Sequence, residues 1–138
     1  MPSAFRSEAA AVGAVAAGGS LGALARFGID VVAGPWGATP PWATLLVNLL
    51  GCALMGLLVA YVLAHPGRHP LWRPFLGVGF LGGFTTFSAF AGDAVQLAEA
   101  GAWGWSTAYV IASVAGCLLA LRVAYAAGHA LRQRRVAR

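Results

Sequence analysis

The chain has 138 residues, of which 59% are hydrophobic and only 9% are charged, and its mean hydropathy is +0.76. Soluble domains carry about 25% charged residues, so this composition excludes a soluble protein and predicts one transmembrane domain over residues 1–138. The formal charge of +5 comes from arginines at the ends of apolar blocks, which indicates membrane orientation and no nucleic-acid partner.

Four apolar blocks, each near the roughly 20 residues that a bilayer requires, predict an all-α membrane protein with four transmembrane helices. The predicted spans cover residues 9–33, 42–63, 71–98 and 106–127. A basic, frayed tail is predicted over residues 128–138. Turn residues separate the spans at 34–41, 65–70 and 101–105.

The first two spans each present one distinctive face. Gly18, Gly22 and Arg26 recur every four residues, and small residues at that spacing let another helix approach closely. Arg26 either extends to the interface or adds positive potential at a pore mouth. In the second span, Asn48 shares a face with Thr44. Its amide either bonds another helix, for about 1 kcal/mol, or points into a pathway, and position alone leaves both open.

The third span contains a cluster of residues that disfavour a regular helix. Four glycines fall within residues 77–83, and Thr85 and Thr86 follow. We predict a break over residues 82–86, although close packing with both threonine hydroxyls bonded to the preceding turn is the alternative. A break would free carbonyl oxygens, which are tolerated at membrane depth where they line a cavity or hold an ion.

Aromatic side chains follow the predicted break. Phe84, Phe87 and Phe90 are three residues apart and are predicted to share a face, which usually means lipid contact or packing. The edge of a phenyl ring is positive, however, so such a stripe can also face an anion. Ser88 and Asp93 add polarity to the segment, and Asp93 is placed in a wet vestibule.

The fourth span carries Tyr109, Ser113 and Cys117 at intervals of four, a line of weakly polar side chains. Cys52 and Cys117 lie in apolar segments without metal-site or disulfide spacing, and we interpret both as small membrane-buried residues. No nucleophile–base pair, phosphate loop or carboxylate pair occurs in the sequence, so an enzyme is not expected.

Arginine is distributed unequally between the two membrane sides. The N-terminus, the second loop and the C-terminus, which share a side in a four-span protein, carry Arg6, Arg68, Arg73, Arg132, Arg134, Arg135 and Arg138. The other two loops carry none. By the positive-inside rule, both termini are predicted to be cytoplasmic.

Three motifs resemble the small bacterial fluoride channels of the CrcB/Fluc family. They are Gly18-x3-Gly22-x3-Arg26, Thr44-Leu-Leu-Val-Asn48-Leu-Leu-Gly51 and Gly82-Gly83-Phe84-Thr85-Thr86-Phe87-Ser88-Ala89-Phe90. The resemblance covers about residues 15–120, and its most specific part is the third motif with the upstream asparagine. It implies a passive fluoride channel across the bacterial inner membrane that lowers cytoplasmic fluoride toxicity, built as a dimer of antiparallel protomers.

The resemblance also implies roles for individual residues. Asn48 would donate to fluoride, Phe87 and Phe90 would supply ring edges, and further hydroxyls would come from Thr44, Ser88, Tyr109 and Ser113. Backbone carbonyls of Gly82 and Thr85 from both protomers would hold a structural sodium ion at the dimer centre. Arg26 and Asp93 would lie in the vestibule. Cys117 stands where the family often has a hydroxyl, and Asp93 where a glutamate is common.

Two other functions stay open. A small four-helix multidrug-type exporter needs an embedded carboxylate, and the first span offers only Glu8 at its start. In a non-transporting assembly subunit, Asn48 and the glycines would serve packing alone. The arginine asymmetry predicts a single orientation, which conflicts with a homodimer of opposite orientations and favours an antiparallel heterodimer with a related chain.

Overall fold

The computed structural model describes residues 3–33, 41–65 and 70–136, which form four helical spans and no β-strand. The elements are α1 (Ser3–Ala33), α2 (Trp42–Ala64), a π-helical segment (Arg73–Leu81), α3 (Gly82–Phe84), α4 (Phe87–Glu99) and α5 (Trp103–Val136). Helices satisfy their own backbone polar groups, as lipid demands. The all-α, multi-pass prediction is confirmed; most of the first two predicted turns lies outside the described residues.

The small-residue face of α1 packs against the first half of the third span. A Cβ on Gly18 would collide with the Phe75 carbonyl, and one on Gly22 would collide with the Phe80 carbonyl and lie 2.8 Å from the Phe84 nitrogen. These neighbours are backbone atoms, so they cannot move aside. The prediction that this face allows a close helix approach is confirmed.

The third span changes its backbone conformation twice. Its first nine residues, Arg73–Leu81, form a π-helical segment, which the sequence analysis did not predict. Gly82 is helical, with φ −66° and ψ −36°, whereas Thr85 (φ −78°, ψ 156°) and Thr86 (φ −144°, ψ 123°) are extended. The interruption is therefore confined to the two threonines, and the prediction that it includes Gly82 and Gly83 is wrong.

The glycines before the interruption serve packing against α1. A Cβ on Gly83 would collide with the Gly19 carbonyl, and one on Gly79 would lie 2.8 Å from the Val15 carbonyl. Four glycines in seven residues were part of the basis for the predicted break, but Gly79 and Gly83 instead allow backbone-to-backbone contact with α1.

Helices α2 and α5 run parallel and in contact. A Cβ on Gly56 would collide with the Leu121 carbonyl, and one on Gly128 would lie 2.9 Å from Cβ of Ala60. Several positions that face each other along the pair are 65 residues apart. The pairs at this offset are Thr44 with Tyr109, Asn48 with Ser113, Cys52 with Cys117 and Gly56 with Leu121.

The end of the chain is more regular than predicted. Helix α5 continues through Gly128 to Val136, so the predicted fraying after residue 127 is wrong over the described part. Gly128 packs on α2, and the residues after it include no proline to stop the helix. With 34 residues, α5 is about 51 Å long, so its arginine-rich end extends beyond a hydrocarbon core of about 30 Å.

A tight turn joins α4 to α5. Gly101 has φ +77°, its N–H donates to Ala98, and the Ala102 N–H donates to Leu97, each at 2.9 Å. This is the Schellman arrangement, in which a left-handed residue closes the helix end. The turn is shorter than the predicted loop, since α5 begins at Trp103.

Candidate functional site

The site centres on a pair of hydrogen bonds between α2 and the interruption. Asn48 Nδ2 donates to the Thr86 carbonyl at 2.9 Å, and the Thr86 N–H donates to Asn48 Oδ1, also at 2.9 Å. We call this pair the Asn48–Thr86 clasp. An asparagine amide carries two N–H groups, so one remains after the clasp is made. Asn48 therefore bonds another helix, as the first interpretation predicted, and its role as a donor to a pathway stays a prediction.

The Asn48–Thr86 clasp forms one wall of a groove with a volume of about 260 Å³. The groove is lined by Asn48, Cys52, Thr85, Thr86, Phe87, Phe90, Ser113, Val114 and Cys117. It thus collects four of the seven residues predicted for the anion pathway. Three helical elements, α2, α4 and α5, supply its walls on either side of the interruption.

Aromatic rings form a connected line at the groove. The Phe87 and Phe90 ring centroids are 5.6 Å apart at an interplanar angle of 53°, and Phe90 lies 5.5 Å from Tyr109 at 38°. Tilted rings present edges as well as faces. Phe84 is buried and stacks on Phe80 instead, with centroids 6.0 Å apart. Its predicted common face with Phe87 is wrong, because the helix is interrupted between them.

Hydroxyl groups continue the polar surface along α5. Ser113 is only 5% exposed, and its Oγ has no hydrogen-bond partner among the described residues, although the Tyr109 hydroxyl is a neighbour. Tyr109 is 3% exposed and lies beside Thr44. These two residues sit one turn from the Asn48–Ser113 level and outside the groove lining. Ser88 is exposed, contacts Thr86 Oγ at 3.2 Å, and also lies outside the lining.

Two carbonyl groups at the interruption lose their usual helical donors. The N–H that would bond the Gly82 carbonyl belongs to Thr86 and goes to Asn48. The N–H that would bond the Thr85 carbonyl belongs to Ala89 and goes to Thr86 Oγ at 3.1 Å. Oxygens released in this way suit a hard cation such as sodium. The residues present therefore fit the group that the resemblance implies.

The predicted vestibule residues have protein partners. Arg26 Nε donates to the Gly83 carbonyl at 3.5 Å, and Arg26 Nη1 lies 3.7 Å from Asp30 Oδ2. Arg26 thereby connects α1 to the turn before the interruption. Asp93 accepts a hydrogen bond of 3.3 Å from the Tyr109 hydroxyl. Neither Arg26 nor Asp93 lines the groove.

Three residues of the site were missed or misread in the sequence. Thr86 caps α4 by accepting from the Ala89 N–H, whereas Thr85 donates back to Leu81 at 2.8 Å. The predicted alternative of back-bonded hydroxyls thus holds for Thr85 and is wrong for Thr86. A Thr at a helix start is a recognisable capping signal. Cys52 and Cys117 line the groove and are half-buried; each lies four residues after a polar groove residue, Asn48 or Ser113, which is the signal that could have found them.

Comparison with known proteins places this arrangement in a context. Residues 13–125 match the family described as "CrcB-like protein, Camphor Resistance (CrcB)". The chain is 51% identical over 111 residues to "Fluoride-specific ion channel FluC 2" of Thermobifida fusca (strain YX), covering 80% of this chain and 82% of that protein. It is 47% identical over 117 residues to "Fluoride-specific ion channel FluC" of Paracoccus denitrificans (strain Pd 1222), covering 85% and 93%. A third relative, with the same printed name, from Aromatoleum aromaticum, is 42% identical over 114 residues, covering 83% and 87%.

Proposed function

The chain belongs to the CrcB-like protein family, and from that premise we propose that it is a fluoride-selective channel that lets fluoride leave the cell passively. One observation carries the proposal. The groove beside the interruption contains an amide with an N–H to spare and a buried hydroxyl, Ser113 Oγ, that no described residue satisfies. Donors without partners at membrane depth are costly, and an anion in the groove would satisfy both.

The chemistry of the lining favours a small anion. Fluoride is strongly hydrated, so a pore must replace its water with close donors. Asn48 and Ser113 offer such donors, Phe87 and Phe90 offer ring edges, and Tyr109 with Thr44 extends the hydroxyl surface by one turn. Chloride is larger and would be held less closely by the same groups. The roles of Ser88, Arg26 and Asp93 in the pathway stay predictions, since none of them lines the groove.

We further propose that the working channel is a dimer. Phe87 is 79% exposed although it belongs to the groove, so a single chain leaves the groove open beside this ring. A second, antiparallel chain would turn the open groove into a closed pathway. Carbonyls of Gly82 and Thr85 from both chains would hold a sodium ion, whose charge would raise the local potential for anions.

The arginine asymmetry bears on which chain is the partner. Arg73, Arg132 and Arg134 lie on the side predicted to be cytoplasmic, and the turn between α4 and α5 carries Glu99 and no arginine. Such a bias favours insertion in one direction. We propose a related chain of opposite orientation as the partner. Labelling of the termini in cells tests this, and equal labelling from both sides would contradict it.

Flux through liposomes tests the function. Vesicles loaded with potassium fluoride or potassium chloride and treated with a potassium ionophore report anion efflux at an electrode. We expect fluoride efflux far faster than chloride efflux. Comparable chloride efflux, or no fluoride efflux from this chain both alone and co-expressed with a related partner, would refute the channel. Sodium is tested separately: exchange for a large organic cation should lower the unfolding temperature of the dimer.

A multidrug-type exporter is less compatible with the described residues. Glu8, the only carboxylate near the start of the first span, is exposed. Asp30 pairs with Arg26 at 3.7 Å and Asp93 accepts from Tyr109 at 3.3 Å, so neither of these carboxylates lines the groove as a proton carrier would.

A further inference from the structure

The two cysteines of the chain face each other across α2 and α5. Cys52 and Cys117 lie one turn beyond Asn48 and Ser113 and are 65 residues apart, the spacing of Gly56 and Leu121, which meet one turn further along the same two helices. Both side chains line the groove and are half-buried.

Two thiols that line the same groove form a ligand set of defined chemistry. Zinc sites use four ligands in tetrahedral geometry, and no group of three or more histidine, cysteine or acidic side chains occurs in the described part of the chain. Thiolates are soft ligands that select soft metal ions. Two sulfur atoms alone therefore suit an ion that is satisfied by two collinear ligands, such as Hg²⁺.

We propose that Cys52 and Cys117 form a two-thiolate site for a soft, linearly coordinating metal ion, and that occupation of this site closes the groove to anions. The binding step is Hg²⁺ plus two thiols giving a mercury dithiolate and two protons. No atom is oxidised or reduced, so the step needs no co-reactant. The binding half of the proposal stands by itself, while the closing half rests on the proposed channel function.

The position of the site explains why its occupation would stop conduction. Phe90, Val114 and Cys117 share the groove with Asn48 and Ser113. A metal ion bridged between the two sulfur atoms would fill the space one turn away from those donors. It would also link α2 to α5 and prevent the groove from widening.

Thiol titration gives a test that is independent of flux. Purified protein is titrated with mercuric nitrate in chloride-free solution, and two signals are recorded: the ultraviolet absorbance of mercury–sulfur bonds, and the number of thiols that still react with a chromogenic disulfide. We expect one Hg²⁺ per unaltered chain and the loss of both reactive thiols. Cys52→Ser and Cys117→Ser should each lose one thiol and bind at least about tenfold more weakly, because one thiolate is lost. The double variant has no cysteine and should show neither signal.

Flux measurements then decide the second half. In liposomes, Hg²⁺ should reduce fluoride efflux of the unaltered chain by at least about tenfold, and a dithiol chelator should restore it. Each variant is compared with its own efflux before mercury is added, and the double variant should be insensitive.

Each outcome decides one part of the proposal. One thiol lost per Hg²⁺ in the unaltered chain, or equal affinity in a single-cysteine variant, would overturn the two-thiolate site. Loss of both thiols to one Hg²⁺ with undiminished fluoride efflux would overturn the closing of the groove. A chain that conducts no fluoride at all would refute the proposed function, and the thiol titration would still settle the thiol site.

Discussion

Replacing Asn48 by aspartate separates the two tasks that its amide performs. In Asn48→Asp, one carboxylate oxygen can still accept from the Thr86 N–H, but the other replaces a donor and faces the Thr86 carbonyl, 2.9 Å from the present nitrogen. Losing that bond and leaving the carbonyl unsatisfied costs about 2–4 kcal/mol. The protein should therefore be less stable, yet the interruption keeps one of its two connections to α2.

The effect on conduction should be larger than the effect on stability. A unit negative charge about 4 Å from an anion costs about 4 kcal/mol at an effective dielectric constant near 20. Since 1.4 kcal/mol is about a factor of ten, fluoride efflux should fall by roughly 10²–10³-fold. The assay is the electrode measurement in liposomes, with the amount of folded protein checked by size-exclusion chromatography.

Gln96→Glu provides the matched control, because it makes the same amide-to-carboxylate change on an exposed face of α4 outside the groove. Gln96 lies one turn from the end of α4 at Glu99, where water screens a charge over about 10 Å, so efflux should change by less than about threefold. Efflux from folded Asn48→Asp within threefold of the unaltered chain, a span of about 0.7 kcal/mol, would refute the reasoning. Asn48 would then serve only the Asn48–Thr86 clasp.

Three further variants test the surroundings of the groove. Gly22→Ala should destabilise the protein by about 1–3 kcal/mol in a detergent unfolding titration. In the control Gly28→Ala the new Cβ meets nothing within 4 Å, so this change should stabilise the protein by up to about 1 kcal/mol. Equal effects of the two changes would contradict the packing of α1. Thr86→Val should cost about 0.5–2 kcal/mol in the same titration because the cap of α4 is lost, and Thr86→Ser should retain most of that stability. Phe87→Ile should reduce fluoride efflux about fivefold, since a ring edge contributes about 1 kcal/mol, while Phe27→Ile on the exposed face of α1 should not. An unchanged rate in Phe87→Ile would exclude a role for its ring.

Features set by single helix faces could be predicted from the sequence. The spacing of Gly18 and Gly22 identified the contact face of α1, and the apolar lengths identified the four spans. The position of the interruption depends on a contact that is not local. Asn48 lies 38 residues before Thr86, so only the folded chain brings its amide to the freed backbone groups. The local sequence pattern therefore placed the break at flexible glycines, whereas the hydrogen bonds with Asn48 place it at the β-branched residues Thr85 and Thr86.

The same long-range contact explains why conducting and structural groups are not separate in this protein. An interruption of a membrane helix requires partners for its N–H and C=O groups, and the Asn48–Thr86 clasp supplies them with an amide that still has one donor left. Thr86 in turn diverts the N–H of Ala89 from the Thr85 carbonyl. A single rearrangement thus exposes a donor on the groove side of the span and an oxygen at the interruption itself. The first suits an anion and the second a cation, so the proposed anion groove and the proposed cation site both follow from one break in the helix.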